Sequence, residues 1–525
     1  MYYAEQLSPS LFHDLNPQIM ELSTASHIDP KGPRPARRQL LEALRPAFLG
    51  LDTEYPLADG STAPRTYLDS AASNLRLKVA DDLARQALAH YANTHSRLHF
   101  GAHITTELYH RAHAIVKDFV GAGDDYTAVF HGSGVTSGLN RMARVLTEKR
   151  PERDVVICSM MEHHANDLPH RKHAGRVVHV PVENDPDGEA GRIDMGALRA
   201  AIAEHADRLN YVAVTSASNV TGVINPVHEI ATLAHEVGAL VVVDAAQSAA
   251  HLPIAAEGHA PEEQLDVLCL SGHKIYTPGS PGVIVARKDL FAGQEPQDVG
   301  GGIVSFVDAE RYEITETLPA REETGTPNIP GALALAATLY LMGRIGMDVI
   351  EEDERDLTQY ALERFTEVPT MHIYGSHRLE VADRIGVITF NLSELPHGLV
   401  AAALNDYFGI AMRNQCFCAQ PFVRQLLGVA GEDGVAPDSC IEPGNQRLVN
   451  GMVRASFGVY NTRADVDKAV EALTHIAENA DFYQSKYEPI LDGSGDWQHT
   501  TFRFDAQAAF DLDAEVDAWL DRAGA

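Results

Sequence analysis

Five short segments of the sequence place polar side chains directly after apolar, β-branched runs of the kind that form strands. Together they supply a Gly/Ser/Thr-rich turn, an imidazole, an amide, a carboxylate and a primary amine. The segments are residues 131–138, 162–167, 218–222, 244–247 and 271–274. Ligands of open parallel sheets bind beyond the carboxyl ends of the strands, so we expect these side chains to meet at one edge of one sheet.

This set of side chains matches the needs of pyridoxal 5′-phosphate. The turn 131–138 precedes a helical pattern, and the free N–H groups of a helix start suit a phosphate, although such turns are common. Asp244 can keep a pyridine nitrogen protonated, and Lys274 can form a Schiff base with the aldehyde. His163 offers a flat ring for stacking. Each residue has an ordinary alternative as a helix cap, a solvated charge or a packed turn residue, but the coincidence of all of them favours the cofactor.

The elements that must position these residues alternate between strand-like runs and helical patterns from about residue 67 to residue 330. Helices are predicted between several of the strands, for example at Met195–His205 and Val227–Val237. This alternation predicts an α/β fold with a mainly parallel, seven-stranded sheet and helices on both faces. The predicted strands are Thr127–Phe130, Val155–Ser159, Val177–Val182, Tyr211–Thr215, Ala239–Asp244, Asp266–Leu270 and Gly282–Ala286.

The whole chain is predicted to comprise a large domain, a small α+β domain and two extensions. The small domain is expected to begin with one long helix over Gly331–Glu367 and to contain strands at Val387–Leu392 and Met452–Val459. The acidic tail ends in an amphipathic pattern that includes Trp519 and Leu520. The boundaries are 1–66 for an N-terminal extension packing with the small domain, 67–330 for the cofactor-binding domain, 331–487 for the small domain and 488–525 for the C-terminal extension.

The composition excludes several classes of function. Lys and Arg total 42 and Asp and Glu total 73, so the net charge is −31, which argues against nucleic-acid binding. The sequence has no apolar run of the length, about 18 residues, that predicts a membrane span. It also lacks the basic start and apolar stretch of a signal peptide, so we expect a cytoplasmic location. Five cysteines in 525 residues do not indicate a disulfide framework.

Over about residues 67 to 480 the chain resembles the class V aminotransferase superfamily, which belongs to fold type I of the pyridoxal-phosphate enzymes. Within it, the sequence is most similar to the group II cysteine desulfurases and selenocysteine lyases. The motifs that carry the resemblance are 67–73 (YLDSAAS), 162–166 (EHHAN), 218–222 (SNVTG), 244–247 (DAAQ), 271–274 (SGHK), 325–328 (GTPN), 413–419 (RNQCFCA) and 453–461 (VRASFGVYN).

The resemblance implies a role for each cofactor-binding residue. Lys274 is implied to form the Schiff base and later to move the Cα proton. Asp244 is implied to pair with the pyridinium nitrogen, Gln247 to bond the phenolic oxygen and His163 to stack on the ring. The implied contacts of the phosphate end are Gly134, Val135, Thr136, Ser271, His273 and, from the second subunit of a homodimer, Thr326.

The resemblance also implies a site for an amino-acid substrate. Asn219 and Arg454 resemble the groups that bind it, with Arg454 gripping the carboxylate through a bidentate contact. Arg413 is assigned to the same site. The alternative for Arg454 is an ordinary surface arginine on a strand.

Cys418 is the residue that decides the reaction. In cysteine desulfurases a cysteine on a loop, before Ala and a Pro-containing turn, attacks the sulfur of the bound substrate, and residues 418–421 match that pattern. The implied reaction converts L-cysteine to L-alanine and leaves a persulfide on Cys418, which an acceptor protein or a small thiol then receives. The attack requires a thiolate, which positive charge from Arg413 would favour. Lys274, Cys418 and His163 are therefore the expected catalytic residues.

Other reactions on the same cofactor stay open: a C–S or selenocysteine lyase, an epimerase, an aminotransferase, or a fold that has lost turnover. Cys416 is interpreted as a packing or auxiliary thiol, with a metal or disulfide pair as the alternative. Gln415 stands where many relatives have Gly, and both extensions are longer than usual, which indicates a specialised paralogue. No metal site is predicted, even at the four-residue spacing of His95, His99 and His103.

Overall fold

The computed structural model describes residues 32–94, 96, 98–393, 395–428, 441–442, 445–449, 451–491 and 494–524. His95, one of the three regularly spaced histidines, lies outside these residues, as does most of the leader before the first helix. The helices are α1 (Arg34–Leu44), α2 (Lys78–Ala87), α3 (Phe100–Phe119), α4 (Gly134–Lys149), α5 (Leu168–His173), α6 (Met195–His205), α7 (Val227–Glu236), α8 (Ile329–Ile345), α9 (Met347–Phe365), α10 (His397–Phe408), α11 (Gln420–Leu426), α12 (Arg463–Glu478), α13 (Ala480–Lys486), α14 (Ala506–Ala509) and α15 (Leu512–Ala523).

The strands form one large sheet, one four-stranded sheet and several two-stranded pairs. They are β1 (Glu54–Pro56), β2 (Thr62–Pro64), β3 (Thr66–Tyr67), β4 (Tyr126–His131), β5 (Val155–Ser159), β6 (Arg176–Val180), β7 (Val182–Asn184), β8 (Ala190–Ile193), β9 (Leu209–Thr215), β10 (Leu240–Asp244), β11 (Val267–Ser271), β12 (Gly282–Arg287), β13 (Val304–Val307), β14 (Tyr312–Ile314), β15 (Met371–Tyr374), β16 (Val387–Leu392), β17 (Ile410–Ala411), β18 (Arg413–Gln415), β19 (Ile441–Glu442), β20 (Asn445–Val449), β21 (Met452–Ser456), β22 (Tyr487–Pro489) and β23 (Trp497–His499).

The large sheet has seven strands in the order β4-β12-β11-β10-β9-β5-β6. Strand β12 pairs antiparallel with both of its neighbours, and the pairs among β11, β10, β9, β5 and β6 are all parallel. All seven predicted strands belong to this sheet, so the predicted α/β class with a mainly parallel seven-stranded sheet is confirmed. The order of the strands brings the ends of β11, β10, β9 and β5 side by side.

The side chains of the large sheet alternate between two apolar clusters, one on each face. Along β9, Tyr211 and Ala213 pack in one cluster, and Val212 and Val214 pack in the other. Every residue of β9 is buried, which explains why its sequence is apolar from Tyr211 to Val214 rather than alternating between apolar and polar residues. The buried strands give the residues that follow them fixed positions.

The second apolar core lies against the four-stranded antiparallel sheet β15-β16-β21-β18. Ile388 and Phe390 of β16 and Val453 and Ala455 of β21 pack there with residues of α9, α10 and α12. Strand β16 occupies the predicted residues, whereas β21 ends at Ser456, three residues earlier than expected. This sheet carries Arg413 and Arg454 on adjacent strands, where they are register partners.

The prediction of one continuous helix over Gly331–Glu367 is wrong. The structure has two helices, α8 and α9, bent by 79° at Gly346. Gly346 has a φ of +93°, which a glycine adopts without steric cost and which ends the helical hydrogen bonding. The Arg37 side chain of α1 fills the break and donates to Ile345 O (3.4 Å) and Asp348 Oδ1 (2.6 Å). A Cβ at Gly346 would overlap Arg37 Nη1, so this packing also requires glycine.

No single helix in the described part of the chain is long and apolar enough to cross a membrane. Helices α8 and α9 reach the length and apolar composition of a membrane span only when the two are counted together.

Candidate functional site

The carboxyl ends of β5, β9, β10 and β11 open onto a cavity of about 240 Å³. Every site residue predicted from the sequence lines this cavity, with the exception of Thr326. They are Gly134, Val135, Thr136, His163, Asn219, Asp244, Gln247, Ser271, His273, Lys274, Arg413, Cys418 and Arg454. The sheet edge supplies most of these residues, and the four-stranded sheet and the loop after β18 supply the others.

The turn after β4 joins the cavity at the start of α4. Gly134 has a φ of +54°, and the N–H of Val135 donates to Ser271 Oγ (2.8 Å), which ties the turn to the end of β11. A Cβ at Gly134 would lie 2.7 Å from Ser271 Oγ, so a glycine is needed there. Ser133 does not cap α4 with its side chain. The first turn of this 16-residue helix therefore presents its positive end to the cavity.

Lys274 and Asp244 face the cavity from two adjacent parallel strands, because Lys274 ends a 3₁₀ turn after β11 and Asp244 ends β10. Burial lowers the pKa of the Lys274 ammonium to about 8, although the negative charge of Asp244 opposes this shift. Burial raises the pKa of Asp244, whose Oδ1 accepts the N–H of Ala246 (2.9 Å). The two charges stabilise each other in a site where each alone is unfavourable.

His163 and Gln247 take fixed orientations beside this pair. The Nδ1 atom of His163 accepts the N–H of Ala165 (3.0 Å), and burial, with the nearby charge of Lys274, lowers the pKa of the imidazole to about 3. His163 is therefore neutral at physiological pH. Gln247 donates through Nε2 to Ala71 O (3.0 Å), so its side chain is held at the cavity wall.

Arg454 is buried in β21, which removes the alternative of a surface arginine. Its Nη1 donates to Asn219 O (2.9 Å), its Nη2 lies 3.3 Å from Asp69 Oδ1, and its guanidinium stacks 4.7 Å above the ring of Phe417. Among the described residues, its Nε has no hydrogen-bond partner. Burial of Asp69 raises the pKa of this carboxyl, and the charge of Arg454 opposes the shift.

Cys418 lies on the loop that joins β18 to α11, and its side chain is exposed. Gln415, Phe417 and Cys418 have φ values of +88°, +50° and +55°, which are unusual for residues other than glycine. Two hydrogen bonds from outside the loop hold it: His164 N–H to Cys418 O (2.7 Å) and Asn219 Nδ2 to Phe417 O (2.8 Å). The backbone of the loop is therefore fixed although the thiol is open to solvent.

Cys416 lies on the same loop in a different environment, since it is buried and packs in the larger apolar core. No group of three or more His, Cys, Asp or Glu side chains among the described residues is arranged to hold a metal ion. His99 instead caps α3 by accepting the N–H of Ala102 at its Nδ1 (3.3 Å).

Thr326 lies outside the cavity of its own chain. It is exposed, and its hydroxyl accepts a hydrogen bond from Asn93 Nδ2 (3.0 Å). The segment before it is anchored by Glu323, which accepts from Tyr109 OH (2.7 Å) and from the N–H of Phe130 (2.6 Å). The expected role of Thr326 in a second subunit stays a prediction.

Two contributors to the site were missed by reasoning from the sequence. Asp69 lies in the 67–73 motif, which was the available signal, but its ion pair with Arg454 joins residues 385 positions apart. Phe417 lies between the two cysteines of its loop, and its sequence gave no sign that its ring would contact a guanidinium.

Comparisons with known proteins agree with this geometry. A sequence profile of the family "Aminotransferase class-V" matches residues 66–469, a span that contains every residue lining the cavity. The chain is 32% identical over 437 residues to a probable cysteine desulfurase of Halalkalibacterium halodurans. The matched region covers 81% of this chain and 96% of that protein. It is also 32% identical to a cysteine desulfurase of Haloferax volcanii, with coverage of 79% and 90%.

Two solved structures share the fold and most of the chain length. The apo structure of the cysteine desulfurase from Thermococcus onnurineus NA1 has a TM-score of 0.67 and 31% identity, with 78% of this chain and 94% of that chain covered. The cysteine desulfurase CsdA from Escherichia coli has a TM-score of 0.66 and 27% identity, with 83% and 98% covered.

Proposed function

The chain belongs to the class-V aminotransferase family, and we propose that it is a pyridoxal-5′-phosphate-dependent cysteine desulfurase. In this proposal it converts L-cysteine to L-alanine and retains the sulfur as a persulfide on Cys418. One observation carries the proposal: Cys418, an exposed thiol, lines the same cavity as Lys274 and Arg454. The names of the relatives described above support the same reaction.

The residues of the cavity fit the cofactor. The glycine turn and the first turn of α4 would hold its phosphate, Asp244 its ring nitrogen and Gln247 its phenolic oxygen, with His163 against the ring. Gly134 lets the turn pack against the Ser271 hydroxyl, since a Cβ there would lie 2.7 Å from Ser271 Oγ, and this packing would place the start of α4 at the phosphate. When bound, the cofactor supplies an electron sink that weakens the Cα–H bond of an attached amino acid.

Lys274 would hold the cofactor through its amine and move the proton at Cα. A pKa of about 8 lets this amine exist as both its neutral and its protonated form near physiological pH. A group with such a pKa both accepts and returns a proton, which is what a general acid–base residue must do. Asp244 does not take this role, because it is expected to pair with the ring.

Arg454 would bind the carboxylate of the substrate. Asn219 and Asp69 fix the guanidinium from two sides, and its Nε has no partner among the described residues. A guanidinium held in this way offers N–H groups for a charge-assisted contact with a carboxylate. Arg413 lines the same side of the cavity and adds positive charge.

Cys418 would take the sulfur. Its thiolate attacks the sulfur of the bound L-cysteine, and an S–S bond forms as the substrate C–S bond breaks. The electron pair of the broken bond stays with Cβ, which takes a proton, and L-alanine leaves after Lys274 returns a proton to Cα. The exposed position of Cys418 suits the next step, in which an acceptor protein or a small thiol must reach the persulfide. We further propose a cytoplasmic homodimer in which Thr326 of each chain contacts the phosphate in the other.

Mass spectrometry of Cys418 after incubation with L-cysteine tests the proposal. We expect a mass increase of one sulfur on Cys418 and formation of L-alanine in step with sulfur transfer to a thiol acceptor. Cys416→Ala is the matched control on the same loop and should retain the persulfide. Sulfide release that persists in Cys418→Ala would indicate a C–S lyase, and a keto acid or a racemised amino acid would indicate an aminotransferase or an epimerase.

A further inference from the structure

The last helix, α15, has an apolar stripe that no other segment among the described residues covers. None of its twelve residues is buried. Leu512 is 66% exposed, Val516 50% and Trp519 60%. Together with Leu520 and Ala523 these residues follow the spacing of one helix face. Since a helix of this length is marginal in water by itself, its apolar face requires a partner surface for stability.

The ends of α15 are formed by local caps rather than by tertiary contacts. Asp511 accepts the N–H of Ala514 (3.0 Å) at the N-terminus, and Gly524 ends the helix in the left-handed conformation. Phe510, just before the helix, is 68% exposed and extends the apolar surface. The helix also lies outside residues 66–469, the span that matches the family profile. It is therefore a formed helix outside the part of the chain that matches the family profile.

The charges around the stripe restrict what can cover it. The helix and its N-cap carry five carboxylates against a single arginine, Arg522, and the carboxylates are Asp511, Asp513, Glu515, Asp517 and Asp521. The same helix of a second copy would place like charges against these carboxylates, so pairing of two such helices in a dimer is disfavoured. An anionic membrane surface would repel the helix for the same reason.

The two longest segments outside the described residues do not supply an excess of positive charge either. Residues 1–31 contain four carboxylates and one lysine, and residues 429–440 contain three carboxylates and neither lysine nor arginine. Charge complementarity therefore favours a separate protein with basic residues at the edges of an apolar groove.

We propose that α15 is a docking helix, and that its partner is a different protein whose surface offers an apolar groove bordered by Lys and Arg. The stripe of Leu512, Val516, Trp519 and Leu520 enters the groove, and the flanking carboxylates pair with its basic edges. This interaction is independent of the desulfurase reaction, because no residue of α15 lines the catalytic cavity.

Photo-crosslinking in cells of the source organism tests the proposal. A photoreactive amino acid replaces Val516 in the full-length chain, and the control places it at Ala514, on the opposite face of the same helix. We expect the Val516 position to crosslink to one other protein, at a peptide that mass spectrometry maps to an apolar, basic surface. Crosslinks to a second copy, to lipid, to an acidic surface or to nothing would overturn the proposal.

The partner protein that crosslinking identifies is then purified, and its affinity for the full-length chain is measured. Val516→Asp with Leu520→Asp should weaken its binding to the full-length chain by at least about tenfold, while turnover of L-cysteine stays unchanged. High salt should also weaken the binding.

The chain has two tryptophans, so Trp497→Phe leaves Trp519 as the reporter. Its fluorescence should indicate exposure in the free chain and shift to the blue on binding, whereas a buried signal in the free chain would contradict the proposal.

Discussion

Lys274 and Cys418 face the same cavity from two regions that are built differently. Lys274 follows a strand that is buried on both faces of a seven-stranded sheet. Cys418 lies on a loop where Phe417 and Cys418 have positive φ values, its thiol is exposed, and hydrogen bonds from His164 and Asn219 hold the loop. In the proposed function the sheet edge would provide the chemistry common to many reactions, and the loop would select one of them. Variants in the two regions should therefore lose different steps of the reaction.

Lys274→Ala is the substitution with the largest expected effect. We expect the rate of L-alanine formation to fall by at least about a thousandfold, because the proposed function assigns both cofactor binding and proton transfer to this one residue. Cys418→Ser should also lose sulfur transfer but keep exchange of the substrate Cα proton with deuterium, measured by mass spectrometry. Loss of that exchange in Cys418→Ser would contradict the division of roles between the sheet edge and the loop.

Arg454→Lys should have the next largest effect. A lysine keeps the positive charge but loses the planar pair of N–H groups and the stacking on Phe417, so the KM for L-cysteine should rise by about ten- to a hundredfold. The value of kcat should fall much less. Asp69→Asn is the companion variant and should give a smaller increase in KM, since it only loosens the guanidinium. A fall in kcat with no change in KM would argue against carboxylate binding by Arg454.

The burial of Lys274 at the sheet edge can be tested through the pKa of its amine, without turnover. In cofactor-free protein the neutral amine is the form that reacts with small acylating reagents. Because burial lowers the pKa of Lys274 from its ordinary 10.5 to about 8, labelling should be half-maximal near pH 8 and fall about tenfold per unit below it. Asp244→Asn removes the opposing negative charge and should move the midpoint lower. Mass spectrometry of the labelled peptide gives both midpoints, and a midpoint near 10.5 would contradict the burial of this amine.

Cys416→Ala should have the smallest effect on the reaction. Its thiol is buried in the apolar core, so the substitution should lower the free energy of unfolding by about 1–2 kcal/mol and leave sulfur transfer within about twofold of the unmodified enzyme. Urea unfolding measures the first quantity and a persulfide assay the second. A severe loss of transfer in a stable Cys416→Ala protein would show that the loop needs both cysteines.

Much of this architecture follows from local sequence patterns. The central strands β5, β9, β10 and β11 are mostly apolar runs, and polar residues at or after their ends line the cavity. The break at Gly346 was missed because the apolar pattern continues through it, and the packing of Arg37 that requires a glycine there comes from a helix more than 300 residues earlier.

Contacts between distant segments were the other part that sequence patterns could not supply. The pairing of Asp69 with Arg454 depends on how β21 lies against the first motif of the large domain. The placement of Phe417 under the guanidinium depends on positive φ values that residue types alone do not predict. The roles assigned to the site residues, and the domain boundaries, stay predictions that the experiments above address.

Asn219 gives the cavity a mechanical property. Its backbone oxygen accepts from Arg454, and its side chain donates to the backbone of the Cys418 loop. We therefore expect a substrate that moves Arg454 to move the Cys418 loop as well, because Asn219 is bonded to both. We therefore expect that redesign of the pocket for a larger amino acid would need compensating changes in the loop.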